Sequence, residues 1–238
     1  MQSNSYTLFF TAIVTIVLGF LLSLAATSLK ERQDLNERID IRKNILRALE
    51  FEEDPEQPWS VNEVQEMFTN SIRGIVINPD GSSADGMYPE DITDKNKDRY
   101  FPVFLKIADG SIEGYAVPIS GKGLWSTLFG YLAIHPDGNT VKGITFYKHG
   151  ETPGLGGEVD KKWFTDNFKG KSLFSPDGKL VSVAVMRGLV DETSENANHQ
   201  VDGISGATMT GKGITNFLLS DLKIYEPFLR RVASGETL

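Results

Sequence analysis

The stretch Phe101–Ile119, FPVFLKIADGSIEGYAVPI, sets an apolar run on either side of Asp109-Gly110. An Asp-Gly pair between β-type runs is a hairpin signal, because both residues tolerate the positive φ angles of a tight turn. The same arrangement returns in YLAIHPDGNTVKGITFYK around Asp137-Gly138 and in SLFSPDGKLVSVAVM around Asp177-Gly178. Three such turns argue for an antiparallel sheet. Working outward, Lys161 to Phe168 reads as a short helix. Gly213 to Ala233 reads as a C-terminal helix with Ile214, Phe217, Leu218, Leu222 and Ile224 apolar, interrupted at Pro227.

Upstream, Leu35, Ile39, Ile41, Ile45, Leu46 and Leu49 recur at mostly three- and four-residue spacings, which marks an amphipathic helix. Pro55 and Pro58 break it, and Ser60 to Ile72 reads as a second helix with Val61, Val64, Met67, Phe68 and Ile72 inward. A short strand at Ile75–Ile77 and a loop-rich segment to Arg99 follow. Before all of this, Tyr6–Leu29 holds 24 residues without a charge. At about 1.5 Å per residue such a helix crosses the ~30 Å hydrocarbon layer with some tilt. Ala25-Ala26 would suit a cleavage site, but no basic segment precedes the run and the run is long, so we expect a retained anchor in the lipid bilayer. The expected architecture is α+β: an antiparallel sheet with flanking helices on a single N-terminal transmembrane helix. Its segments are an anchor (1–29), a helical stalk and helix/loop region (30–100) and an α+β domain (101–238).

Composition narrows the function. The formal charge is 24 − 32 = −8 with no basic stripe, which argues against a nucleic-acid partner. The absence of cysteine excludes disulfides, cysteine-ligated zinc and iron–sulfur clusters. No group of His and carboxylates has metal-ligand spacing.

Two glycine-rich segments remain. Residues 202–213, DGISGATMTGKG, contain G-x-x-x-x-G-K from Gly206 to Lys212. A phosphate-binding P-loop needs Ser or Thr directly after the lysine, where Gly213 stands, so a nucleotide hydrolase is a poor reading. A nucleophile elbow would need glycine in place of Ala207. Ser205, Thr208 and Thr210 could instead cap a helix starting near Gly213, but a cap needs one hydroxyl and three alternate here with small residues. A helix N-terminus beside Thr208 would favour a phosphate, with Lys212 adding positive charge. Residues 149–158, HGETPGLGGE, form a loop whose backbone could press on a flat ligand.

Asp202-Gly203-Ile204-Ser205-Gly206-Ala207-Thr208 resembles the flavinylation motif of membrane redox complexes, in which the final threonine is esterified to the phosphate of FMN by a separate, FAD-using flavin transferase. With ETPGLGGE and Gly121-Lys122-Gly123-Leu124-Trp125-Ser126, in this order after one N-terminal span, the chain resembles the FMN-bearing C-subunit family of bacterial sodium-translocating NADH:quinone oxidoreductases. The flavin-bearing G-type subunits of Rnf-type electron transport complexes share two of these blocks but not GKGLWS. The resemblance implies FMN bound covalently through a phosphoester to Thr208, with Asp202, Ser205, Gly206, Ala207 and Lys212 shaping its loop. Gly123, Leu124, Trp125, Glu151, Thr152, Gly154 and Leu155 would surround the flavin. Asp202 either assists the transferase or begins the turn. The implied role is that of an electron-transfer protein, with no catalytic site of its own, in a complex that oxidises NADH, reduces quinone and exports sodium. Its partners would be the other subunits of that membrane complex and the transferase. The bases at Lys30, Arg32, Arg38, Arg42 and Lys43, read by the positive-inside rule, would keep the domain inside. The family places it on the outer, periplasmic side of the bacterial inner membrane, and we follow the family because the transferase must reach Thr208.

Overall fold

The computed structural model describes residues 3–236. Helix α1 (Asn4–Ala48) contains the uncharged run and continues without a break into the amphipathic stretch. Its apolar part is long and uncharged enough to cross a membrane, and none of it is buried by the protein. By contacts the chain divides into two units, one ending at Asp40 and the other running from Ile41 onward.

In the second unit, α2 (Val61–Ser71) starts at a capping box. The Ser60 hydroxyl accepts from the Glu63 N–H, and the Glu63 carboxylate accepts from the Ser60 N–H. These two bonds satisfy N–H groups that a helix start otherwise leaves unpaired. Val64 is buried as expected, whereas Val61, expected inward, is exposed in the first turn of the helix.

Strands β1 (Ile72–Ile77), β2 (Phe101–Ala108), β3 (Ser111–Lys122), β4 (Thr127–Ile134) and β5 (Val141–Lys148) form one antiparallel sheet in sequential order. The expected hairpins at Asp109-Gly110 and Asp137-Gly138 join β2 to β3 and β4 to β5. The third turn differs: around Asp177-Gly178 only an isolated bridge forms, Phe174 to Leu180. The residues beyond it pair elsewhere, as β6 (Ala184–Val185) lies parallel to β7 (Gln200–Val201). Because β1 pairs with β2 over six residues, Ile72–Ile77 belongs to the sheet although it precedes residue 100.

Period-two alternation gives the sheet two apolar faces. On one, Tyr115, Val117, Ile119, Leu128, Leu132 and Ile134 join the main core. On the other, the small residues Ala116 and Ala133 with Tyr131 receive Ile45 and Ala48 from the end of α1 and Leu49 from the turn after it. The main core is closed by α4 (Thr208–Ala233), whose Ile214, Phe217, Leu218, Leu222, Tyr225, Phe228 and Leu229 are all buried at three- and four-residue spacings. This helix begins five residues before the expected start and runs through Pro227 rather than stopping there. Between Lys161 and Phe168 the chain makes α3 (Lys162–Thr165) and a 3-10 turn, burying Phe164 and Phe168.

Candidate functional site

The start of α4 changes the meaning of residues 202–213. Thr208 is the first helical residue, so Gly211 and Lys212 lie within the helix and G-x-x-x-x-G-K is not a loop. Ala207 precedes the helix, and no side chain caps it. Among the described residues the N–H groups of the first turn therefore have no capping side chain, on the positive end of a 26-residue helix. Thr208 is exposed there, as are Ser205 and Gly206 in the preceding turn, while Ala207 is buried. Gly206 is required by its φ of 73°, and a Cβ there would come within 2.7 Å of the end of the Leu155 side chain, Cδ2. The side chain of Leu155 thus lies against the turn that presents Thr208. Lys212 is exposed on the second turn.

Asp202 begins this turn and anchors it: one carboxylate oxygen accepts from the Val190 N–H at 2.7 Å. The Gly203 N–H donates to the Gly188 carbonyl at 2.8 Å, tying the same two segments together.

Behind this surface lies a buried hub. Glu151 is only 5% exposed and follows β5 by three residues. Its Oε1 accepts from the N–H groups of Trp125 at 2.9 Å and Ser126 at 3.0 Å, and from Ser126 Oγ at 3.3 Å. Its Oε2 accepts from the Leu124 N–H at 3.3 Å and from Thr210 Oγ1 at 2.7 Å. Three successive N–H groups converging on one anion form a nest, here filled by a carboxylate of the same chain. Ser126 Oγ in turn accepts from the Gly150 N–H at 2.7 Å. Burial by itself pushes the Glu151 carboxyl up, but the bonds from Thr210, Ser126, Trp125 and Leu124 outweigh it and hold the group below its ordinary value.

With the 124–126 backbone drawn inward, the Leu124 and Trp125 side chains face outward, 44% and 69% exposed. Trp125 is therefore not a core residue. Leu155 and Met209 are also exposed large apolar groups, at 43% and 55%. Thr152 and Gly154 are exposed in the loop between Glu151 and Leu155, which is closed by the Leu155 N–H donating to the Thr152 carbonyl at 3.1 Å. Gly123 lies just ahead of the nest, and its N–H donates to the Ser126 carbonyl at 2.8 Å. A Cβ on Gly213 would meet the Lys122 carbonyl oxygen at 2.3 Å, so the residue that spoils a P-loop is where α4 presses on the end of β3. The three glycine-rich blocks, far apart in sequence, are thus bonded to one another at the N-terminus of α4.

Sequence reasoning missed Thr210 and Gly213 as parts of this assembly. Thr210 is 1% exposed, and with α4 starting at Thr208 it lies on one stripe with Ile214, Phe217 and Leu218. That spacing was the available signal, hidden because the glycines at 211 and 213 suggested a turn.

Comparison with known proteins agrees with this geometry. Residues 123–222, which run from Gly123 of the first block through the other two blocks into α4, match the family of the FMN-binding domain. The chain is 36% identical to the C subunit of the Na(+)-translocating NADH-quinone reductase of Pseudomonas aeruginosa, with 99% of this chain and 98% of that protein covered. It is 31% identical to the C subunit of the same reductase from Vibrio alginolyticus, with 94% and 93% covered. The crystal structure of the C subunit from Parabacteroides distasonis superposes with a TM-score of 0.71 at 34% identity, covering 84% of this chain and 96% of that one. The chain therefore belongs to the C-subunit family of Na(+)-translocating NADH-quinone reductases.

Proposed function

We propose that this chain is the FMN-carrying electron-transfer subunit of a sodium-translocating NADH:quinone oxidoreductase, with FMN joined to Thr208 by a phosphoester. The observation that carries the proposal is the setting of Thr208: an exposed hydroxyl at the uncapped N-terminus of α4, at the end of Ser205-Gly206-Ala207-Thr208. The neighbouring Thr210 hydroxyl is buried and bonded to Glu151, which leaves Thr208 as the accessible threonine of the pair.

The residues present suit the group. Free N–H groups and the dipole at the start of α4 stabilise a phosphate on Thr208, and Lys212 adds charge of the right sign. Leu124, Trp125, Leu155 and Met209 offer exposed apolar and aromatic surface for a planar ring. When bound, FMN supplies the capacity to take up and release electrons one or two at a time. The chain's part is to hold it at a fixed place, and a tether through phosphate does so without engaging the redox atoms. In maturation Thr208 Oγ1 forms a bond to the FMN phosphorus of FAD, the pyrophosphate bond breaks, AMP leaves, and the hydroxyl proton is lost to a base.

The names of the relatives support the wider setting: NADH oxidation, quinone reduction and sodium translocation by a complex of several subunits. Helix α1 would anchor the chain in the inner membrane, with the domain on the outer side where a flavin transferase reaches Thr208. Protease treatment of intact spheroplasts should cut the domain, and protection until lysis would overturn this placement.

The attachment is tested by producing the chain with and without a flavin transferase. Yellow-green in-gel fluorescence should appear only with the transferase, disappear in Thr208→Ala and persist in Thr210→Ser. Fluorescence that survives Thr208→Ala would refute the assignment.

A further inference from the structure

We propose that Glu151 is the positioning residue of the flavin site, a buried carboxylate latch that fastens the 124–126 loop to the first turn of α4 and so fixes the position of Leu124 and Trp125 relative to Thr208. The proposal rests on the reading of Thr208 as the flavin attachment point and goes beyond it by assigning what makes the site rigid.

The carboxylate has no capacity left for a ligand. Oε1 is taken by two N–H groups and the Ser126 hydroxyl, and Oε2 by Thr210 and the Leu124 N–H. Glu151 therefore acts on a bound flavin through its neighbours, although it stands in the same loop as Thr152 and Leu155. The other ties between the two halves are the packing of Gly213 on the end of β3 and, further along, the Ser120 N–H donating to Asp221, so the carboxylate is the hydrogen-bonded link between the 124–126 turn itself and the first turn of α4. Residues 123–126 form the turn between β3 and β4, and α4 is free of side-chain capping at its start. Loss of the carboxylate would leave three N–H groups and the hydroxyls of Ser126 and Thr210 without this acceptor, Thr210 in a fully buried place, and the 124–126 turn would rearrange to reach water. Trp125 and Leu124 would then move relative to Thr208.

Charge and connectivity make separable predictions. In Glu151→Gln the amide oxygen can keep the Oε1 position with its donors. The amide NH2 at Oε2 can donate to Thr210 Oγ1, which accepts as well as donates. Only the Leu124 bond, the longer one at 3.3 Å, is lost. Glutamine should therefore rescue what alanine destroys.

The experiment uses the full-length chain in detergent, flavinylated with FAD by a flavin transferase and followed by intact mass. Visible circular dichroism of the attached flavin reports the fixed orientation of its ring. For Glu151→Ala we expect flavinylation at least ten-fold slower than in the unaltered chain, and loss of most of the visible dichroism of whatever product forms. Glu151→Gln should stay within about three-fold of the unaltered chain and keep the dichroic signal. If Glu151→Ala does not fold, Thr210→Val, which cuts only the link to α4, decides the matter and should lower the dichroism with the fold intact. Flavinylation and dichroism at unaltered levels in Glu151→Ala, or in Thr210→Val where alanine fails to fold, overturn the latch. Failure of the unaltered chain to accept FMN would instead overturn the reading of Thr208, so the two failures are distinguishable.

Discussion

Asp221 offers a quantitative test of how α4 sits on the sheet. Strand β2 pairs with β3 only over Ser111–Ala116, which leaves the later part of β3 without that neighbour. Helix α4 covers this flank, and the Asp221 carboxylate accepts from the Ser120 N–H at 2.7 Å in place of a strand. Burial pushes the Asp221 carboxyl up to about 6 from an ordinary 3.8, with the Ser120 bond pulling weakly the other way. An acid with a raised folded-state pKa costs stability above that pKa, and the cost vanishes as pH falls from about 6 towards 4. At about 1.36 kcal/mol per pH unit, keeping Asp221 ionised at pH 8 costs at most about 3 kcal/mol. The group is partly exposed, so solvent screening reduces this to about 1–2 kcal/mol. Asn at this position keeps an oxygen for the Ser120 N–H and has no charge to desolvate. Asp221→Asn should therefore stabilise the chain by about 1–2 kcal/mol at pH 8 and by almost nothing at about pH 3.5, below the unfolded-state pKa. Urea denaturation of the full-length chain in detergent, followed by tryptophan fluorescence, should show a midpoint higher by about 0.5–1 M at pH 8 only. A variant less stable at pH 8, or a difference independent of pH, would refute the reasoning.

Two further substitutions probe the packing around the site. Gly213→Ala gains about 1 kcal/mol of helix propensity, yet its Cβ would stand 2.3 Å from the Lys122 carbonyl oxygen. We expect a net loss of about 2–3 kcal/mol in the same denaturation assay, as for other overpacked positions, together with slower flavinylation because α4 is pushed off the 121–126 segment. Ser182 has φ 64° and is 2% exposed, and its Oγ has no hydrogen-bond partner among the described residues. Ser182→Gly relieves both the strain and the desolvated hydroxyl, and should raise stability by about 1 kcal/mol despite the entropy of glycine in the unfolded chain. A drop in the urea midpoint would contradict it.

The sheet was legible because its signals are local. Asp109-Gly110 and Asp137-Gly138 each lie between runs that pair with each other. Asp177-Gly178 carries the same signal but turns a segment whose later residues find partners at Gln200 and Val201, far along the chain. No local pattern reveals a parallel pairing of that kind. The start of α4 was misplaced for a related reason. Glycine at 211 and 213 lowers helix propensity, and the benefit that outweighs this is a close approach to β3 and to Val185, visible only in three dimensions. Pro227 likewise suggests a break, yet Phe228 and Leu229 just beyond it are completely buried, and their packing carries the helix through. At the site, the motif ending in Thr208 was readable from residue types alone. Glu151 was placed beside the flavin by its motif, whereas its bonds to residues 124–126 and to Thr210 join segments 25 to 59 positions apart.

The central claim is that one threonine, at the first position of α4, carries the flavin. Its most direct test is intact mass of the full-length chain after reaction with FAD and a flavin transferase, followed by peptide fragmentation. The expected result is a gain of one FMN less one water, confined to the peptide containing Thr208 and assigned to that residue. An unmodified chain in the presence of active transferase, or the same gain assigned to Ser205 or Thr210, would contradict it.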